Sequence, residues 1–272
     1  MTREVSTVTL ASGLTLSIAQ QGRRSGPALV LLPGPTDSWS SYQPVLARIP
    51  LSIRAIAVSQ RGHGDSDKPA TGYRVEDFAT DVQQLLDALH VERAVVTGHS
   101  GSCLVARRVA LDLGERVAGL VLEASPTTLG GDAAFGEFVE SIVSELGDPI
   151  DPDFARSFLV DTSSGEVGPE VLDQLVRELL KVPARVWHEM FAGLLEYDDM
   201  AELGRITVPT LLIWGDADGL VGREMQEQLS ARLPGAELLV YSGVGHTPRW
   251  EDPSRFASDV AAFVEGLLPA RP

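Results

Sequence analysis

The stretch AVVTGHSGSCLVARRVALD, residues 94–112, changes character in its middle. Residues 94–97 are apolar and β-branched, as in a strand covered on both faces. From residue 101 to 113 the apolar positions recur at helical spacing. Between strand and helix, Gly98-His99-Ser100-Gly101-Ser102 leaves room only for a sharp turn. A serine at such a turn needs small neighbours, because the backbone is strained and close to adjacent elements. The turn lifts the Ser100 hydroxyl above the carboxyl edge of a sheet and aims the Gly101 N–H into the same space. A Gly-x-Ser on its own carries little information, and its place between strand and helix gives this one weight.

Working outward, 5–10 and 14–20 alternate about Ala11-Ser12-Gly13 and read as a β-hairpin. Further short runs at 28–32, 54–58, 117–122, 210–214 and 237–241 have the apolar, β-rich character of strands. Helical patterns at 75–89, 101–113, 223–232 and 253–268 lie between or after them. Strand and helix in alternation predict an α/β fold with a mostly parallel, doubly wound sheet. One interval breaks the rhythm. From about Pro126 to Gly204 no strand stands out, and GEFVESIVSEL, EVLDQLVRELL and RVWHEMFAGLLEYDDM are helical patterns separated by Pro149, Pro152, Pro169 and Pro183. The expected organisation is a core of residues 1–125 and 205–272 with an inserted helical cap at 126–204.

Composition sets outer limits. A chain of 272 residues, 44% hydrophobic and 22% charged, can bury a large core as one domain plus an insertion. Its formal charge of −16 repels phosphate backbones and anionic membrane faces, so neither nucleic acid nor a membrane is an expected partner. No apolar run reaches a membrane-spanning length, the first residues lack a signal-like apolar core, and Cys103 is the only cysteine. These features favour a cytoplasmic protein. Whether it is a monomer or a homodimer is left open by the sequence.

The chemistry follows from what Ser100 needs. A hydroxyl near its solution pKa is a poor nucleophile. It requires an imidazole to take its proton and a carboxylate to hold that imidazole's tautomer. Downstream, TLLIWGDADGLV ends a strand in a loop with Asp216 and Asp218, and LLVYSGVGHTPRWEDP ends another in a loop with His246. Ser100, Asp218 and His246 come in the order Ser–Asp–His, each just past a strand. No histidine pair has metal-ligand spacing and a lone cysteine builds no thiolate site, so no metal and no cofactor are expected.

With GHSGS (98–102), QRGHGDSDKP (60–69), LLIWGDADGLV (211–221) and GVGHTPRWEDP (243–253), the chain resembles the α/β-hydrolases over nearly its whole length. Within them it is similar to the non-haem haloperoxidase-like esterases and lactonases. The resemblance implies that the acid is the second aspartate of Gly-Asp-x-Asp, Asp218, with Asp216 shaping the loop. It also offers Glu123 as an alternative triad acid, since some relatives carry the acid after that strand. In this family a His-Gly-x loop follows the strand at 28–32, and the amide of x joins the one after the nucleophile as the oxyanion hole. Here that loop reads Pro33-Gly34-Pro35, and Pro35 has no N–H to give. Ser102 stands where the family's last elbow glycine would. The expected oxyanion group is therefore Gly101 with the loop of Gly34, Pro35 and Thr36, Thr36 offering an N–H and a hydroxyl.

Trp39, His99, Phe135, Trp187, Phe191 and Trp250 are candidate substrate-pocket residues, with ordinary packing as the alternative for each. His63 reads as a structural residue or pocket wall, His188 as exposed or pocket-lining, and His90 as a helix-end residue. The expected function is cofactor-independent cleavage of a small, largely apolar ester or lactone. The altered oxyanion loop leaves two alternatives: a non-hydrolytic or C–C bond-cleaving enzyme of the same fold, or a catalytically silent ligand-binding relative.

Overall fold

A computed structural model describes residues 3–163 and 167–267. The last position of the helix expected at 253–268, Leu268, lies outside them, as do 164–166 of the expected cap. Among the described residues, eight strands form a single sheet in the order β1-β2-β4-β3-β5-β6-β7-β8. They are β1 (Glu4–Thr9), β2 (Thr15–Gln21), β3 (Ala28–Leu32), β4 (Arg54–Val58), β5 (Ala94–His99), β6 (Val117–Glu123), β7 (Thr210–Gly215) and β8 (Ala236–Tyr241). β2 runs antiparallel to both its neighbours, and the pairs from β4 to β8 are all parallel. This is the mostly parallel α/β sheet that the alternating pattern implies.

The central strands are buried along their whole length and divide their side chains between two layers. Val30, Leu32, Ile56, Val58 and Val96 belong to one apolar cluster, whereas Leu29, Leu31, Ala55, Ala57 and Val95 belong to the other. The two-residue period of a strand is what sends neighbours to opposite faces. The first layer takes helices α2 (Val75–Ala88) and α3 (Ser102–Leu113), and the second takes α1 (Gln43–Leu46) and the helix Pro253–Leu267. Removing a leucine or valine side chain from water contributes about 1.5–3 kcal/mol, so both layers commit the strands to their register.

Chain order reverses at β3, since β4 pairs with one side of it and β5 with the other. In open α/β sheets the crevice at such a reversal, beyond the carboxyl ends of the strands, is where ligands bind. Leu32 pairs with Gly98, so the Pro33-Gly34-Pro35 loop and the serine turn leave the sheet side by side.

Between β6 and β7 come α4 (Ala133–Ser141), α5 (Pro152–Asp161), α6 (Pro169–Leu179) and α7 (Ala184–Glu196). The helix α5 had no counterpart among the three helical patterns read from the sequence. Asp151 caps it by accepting from the amides of Asp153 and Phe154, with Pro152 in its first turn. One buried side chain on α3 holds both ends of this helical stretch. Arg107 donates to the carbonyls of Pro126 (2.9 Å) and Thr127 (2.7 Å) and makes a forked pair with Asp199 (2.7 and 3.0 Å).

Candidate active site

The serine turn has the backbone its composition requires. Ser100 sits at φ 52°, a left-handed value uncommon for a residue with a Cβ. Its N–H donates to the Glu123 carbonyl at 2.9 Å, and its carbonyl accepts from the Cys103 N–H at 2.8 Å. The small neighbours are sterically required. A Cβ at Gly98 would lie 2.4 Å from the Ser102 carbonyl oxygen, and one at Gly101 would lie 2.9 Å from Pro35 Cγ and 3.0 Å from Leu194 Cδ1. Gly101 is thus enclosed between the proline loop and α7.

Asp218 and His246 lie on the loops after β7 and β8. Asp218 Oδ2 accepts from His246 Nδ1 at 2.9 Å, and both side chains are buried. The other oxygen, Oδ1, accepts from the amides of Leu220 (2.8 Å) and Val221 (2.9 Å), which fixes the carboxylate plane. Asp216 Oδ1 accepts from the Gly243 N–H at 2.6 Å and so ties the two loops together. Gly215 allows their close approach: a Cβ there would stand 2.1 Å from the Val244 carbonyl oxygen.

Glu123 is occupied elsewhere. Its Oε1 accepts from the Arg249 amide at 2.9 Å and lies 3.4 Å from the Arg249 guanidinium, which also reaches Asp37 at 2.7 Å. Arg249 and Glu123 are fully buried. Burial raises the Glu123 pKa, opposed by the Arg249 charge. The imidazole hydrogen bond therefore goes to Asp218, and Glu123 serves as counter-ion to Arg249.

The proline loop is held from both ends. Thr36 lies at φ 73°. Its N–H donates to His63 Nε2 at 3.1 Å, while His63 Nδ1–H donates to the Arg61 carbonyl at 2.7 Å. The Thr36 amide, one of the two donors expected of this residue, is thus already engaged. Its hydroxyl oxygen is buried with no hydrogen-bond partner. At the other end, the Pro33 carbonyl accepts from Ser102 Oγ (2.6 Å) and Gln60 Nε2 (3.2 Å), and Gln60 Nε2 also donates to Ser102 Oγ (2.9 Å). Gly34 faces the His99 ring, which a Cβ would meet at 2.4 Å. His99 Nε2–H donates to the His246 carbonyl at 2.9 Å, and its pKa falls well below the usual value because it is buried and close to the Arg249 and His246 charges.

The sequence profile of the alpha/beta hydrolase family matches residues 29–260. The chain belongs to the alpha/beta hydrolase family. A non-heme chloroperoxidase of Streptomyces lividans is 30% identical to it, over 95% of this chain and 99% of the relative. A 3-oxoadipate enol-lactonase of Acinetobacter baylyi is 27% identical, over 94% of this chain and 95% of the relative. Among solved structures, an esterase from a Rhodococcus species superposes with a TM-score of 0.80 at 25% identity, over 97% of this chain and 99% of its own.

In this hydrolase the candidate pocket aromatics fall into two groups. Phe135, Trp187 and Phe191 stack together on α4 and α7, with the Trp187 and Phe191 rings nearly parallel at 5.5 Å and Phe135 at 5.8 Å from Phe191. Trp39 and Trp250 make no ring contact with that group among the described residues. Trp250 donates to the Ser41 carbonyl under the Arg249 guanidinium, and Trp39 lies under Arg3. His188, on α7, keeps a buried ring nitrogen without a partner, and His90 is exposed just after α2. Among the described residues, no cluster of three or more His, Cys, Asp or Glu could hold a metal ion, and no helix is long and apolar enough to cross a membrane.

Sequence reasoning missed Gln60, Arg249 and Leu194 and gave His63 no definite task. A buried histidine and glutamine in a Gly-rich turn after a strand were the available signal. Their partners, 27 and 42 residues away, were not.

Proposed function

We propose that this hydrolase cleaves an ester or lactone of a small, largely apolar molecule through Ser100, His246 and Asp218. The observation that carries the reading is the buried His246–Asp218 hydrogen bond at 2.9 Å, linked to the elbow through His99, whose Nε2–H donates to the His246 carbonyl, with the next residue, Ser100, held at φ 52°. The lactonase and esterase relatives support carbonyl chemistry.

In this mechanism Ser100 Oγ attacks the carbonyl carbon and its proton passes to His246 Nε2. Asp218 keeps Nδ1 protonated and stabilises the imidazolium. The oxyanion is held by the Gly101 N–H and by the Thr36 hydroxyl, the loop group left without a partner. Collapse of the tetrahedral intermediate expels the alkoxide, which His246 protonates. Water, deprotonated by His246, then releases the acid from Ser100; in a lactone, acid and alcohol leave as one molecule.

Residues 126–204 act as a cap over the core of 1–125 and 205–272. Leu194 of α7 meets the elbow at Gly101, and Phe135, Trp187 and Phe191 offer the apolar wall. The single cysteine, Cys103, is buried, which suits a cytoplasmic setting. A fluorophosphonate probe followed by mass spectrometry tests the reading. An adduct on Ser100, lost in Ser100→Ala, is the expected result. A folded protein that takes no label would refute it and leave a ligand binder or a non-hydrolytic enzyme of this fold.

A further inference from the structure

The loop 33–36 reaches the candidate site with two prolines, no amide at the family's donor position and a β-branched residue at positive φ. A non-glycine residue in that region costs about 1–3 kcal/mol and persists only where its surroundings determine it. Thr36 would relax if nothing held it, and its hydroxyl would turn with it.

The holding groups come from one place, the turn 60–63 after β4. Gln60 reaches the Pro33 carbonyl directly and through the Ser102 hydroxyl, at the end of the loop nearest the sheet. His63 accepts from the Thr36 amide at the far end. The Arg61 carbonyl, by taking the Nδ1 proton, leaves Nε2 as the acceptor. Gln60 and His63 are both buried, so neither bond competes with bulk water. The two bonds span the loop and occupy its Pro33 carbonyl and its Thr36 amide. The Thr36 Oγ is a buried side-chain atom without a partner, as are Gln60 Oε1 and the His99 Nδ1 that faces Gly34, and of the three it is the one carried by the loop itself.

We propose that Gln60 and His63 are positioning residues for oxyanion stabilisation, clamping the loop 33–36 so that the Thr36 hydroxyl replaces the amide that Pro35 lacks. This rests on the serine-hydrolase reading. On it, the Gly-rich turn after β4 does catalytic service at a distance, acting on the transition state only through Thr36.

The experiment is a double-mutant cycle read as kcat and KM on 4-nitrophenyl acetate, with Ser100 labelling by fluorophosphonate measured in parallel. Thr36→Val lowers kcat about 10²-fold with KM nearly unchanged, and Thr36→Ser, which keeps the hydroxyl, recovers most of it. His63→Ala lowers kcat by about 10-fold or more in the wild-type background and by less than about 3-fold in Thr36→Val, because the group it positions is gone. His63→Gln, whose amide oxygen can accept from the Thr36 N–H, restores part of the loss. Gln60→Met, which keeps volume and loses the donor, shows the same dependence on Thr36 and serves if His63→Ala does not fold. Equal losses from His63→Ala or Gln60→Met in both backgrounds, or an unchanged kcat in Thr36→Val, overturn the clamp while Ser100 still labels. Absence of Ser100 labelling in the wild type overturns the hydrolase mechanism, and the clamp with it.

Discussion

Replacing Asp218 by asparagine changes one oxygen to an amino group, and the surrounding bonds dictate which one. Oδ1 accepts from two backbone amides, Leu220 and Val221, at 2.8 and 2.9 Å. An amino group facing those two donors would leave both unsatisfied in a buried position, at about 1–3 kcal/mol each. The carboxamide oxygen must therefore take the Oδ1 site, and the NH2 must face His246 Nδ1. A donor there forces Nδ1 to be the acceptor, so the proton moves to Nε2, where the nucleophile's proton has to be received. The variant folds with its loop intact and holds the wrong tautomer. The expected loss is about 10⁴-fold in kcat, near 5 kcal/mol of transition-state stabilisation, with little change in KM. Glu123→Gln is the matched comparison. It withdraws one of two carboxylates from beside the buried Arg249 guanidinium, which stays paired with Asp37, so stability falls by about 1–3 kcal/mol while kcat per folded molecule changes less than 10-fold. Steady-state rates on an aryl ester, corrected by active-site titration, together with urea unfolding of both variants, make the comparison. A larger kcat loss in Glu123→Gln, or an Asp218→Asn enzyme within 10-fold of wild type, would refute the reasoning.

Burial, with the Lys68 charge adding to it, brings His63 down from 6.5 to about 4 against the hydrogen bond to the Arg61 carbonyl. The unfolded chain then takes up this proton first, so its stability contribution is present above about pH 6.5 and is lost as pH falls towards 4, by about 3 kcal/mol in all. Urea unfolding from pH 7 to 4 should show a correspondingly shallower fall in His63→Gln, and parallel curves would count against it. Arg107→Leu strands the buried Asp199 carboxylate and frees the chain at Pro126 and Thr127, so it should cost about 3–5 kcal/mol, and pairing it with Asp199→Leu should recover much of that; calorimetry of the single and double variants decides. Gly98→Ala would drive its Cβ into the backbone of Ser102 and Cys103 at 2.4–2.8 Å and should destabilise by about 3 kcal/mol, read as a lower urea midpoint at unchanged slope.

The sheet was legible because strands covered on both faces leave an apolar run that needs no partner to be recognised. The bounds of β3 and β4 follow the sequence reading, and β5 and β6 run on to His99 and Glu123 because those residues still pair across the ladder. The serine turn was legible for a similar reason, since its constraints are local and fall on Gly98 and Gly101. The helix α5 was not, because three prolines between 149 and 169 suggest breaks where two of them open helices in their first turns. The alternatives at the acid position were not decidable from sequence either. Asp218 and Glu123 both follow strands, and what separates them is Arg249, which is 126 residues from Glu123 in the chain and bonded to it. The proline loop shows the same limit. Nothing in Thr36 as a residue type suggests a φ of 73°, and that angle decides which of its two donors remains free.

Two of the three places where the chain departs from the α/β-hydrolase pattern, Pro33 and Ser102, therefore belong to one hydrogen-bonded unit. A glycine at 102 would have no hydroxyl to donate to the Pro33 carbonyl, and a histidine at 33 would present a side chain where the loop now relies on its backbone. Pro33 and Pro35 restrict the unfolded chain as well as the folded one, which reduces the entropy lost when the loop orders. The cost of the arrangement is concentrated in a single residue, Thr36, held in a strained conformation by a neutral histidine. The lost amide at Pro35 is thus set in a loop whose conformation is over-determined, with three side chains fixing its ends. An arrangement of that kind suits a group that must stay in one position while charge develops beside it, because donors fixed in advance need no reorganisation in the transition state.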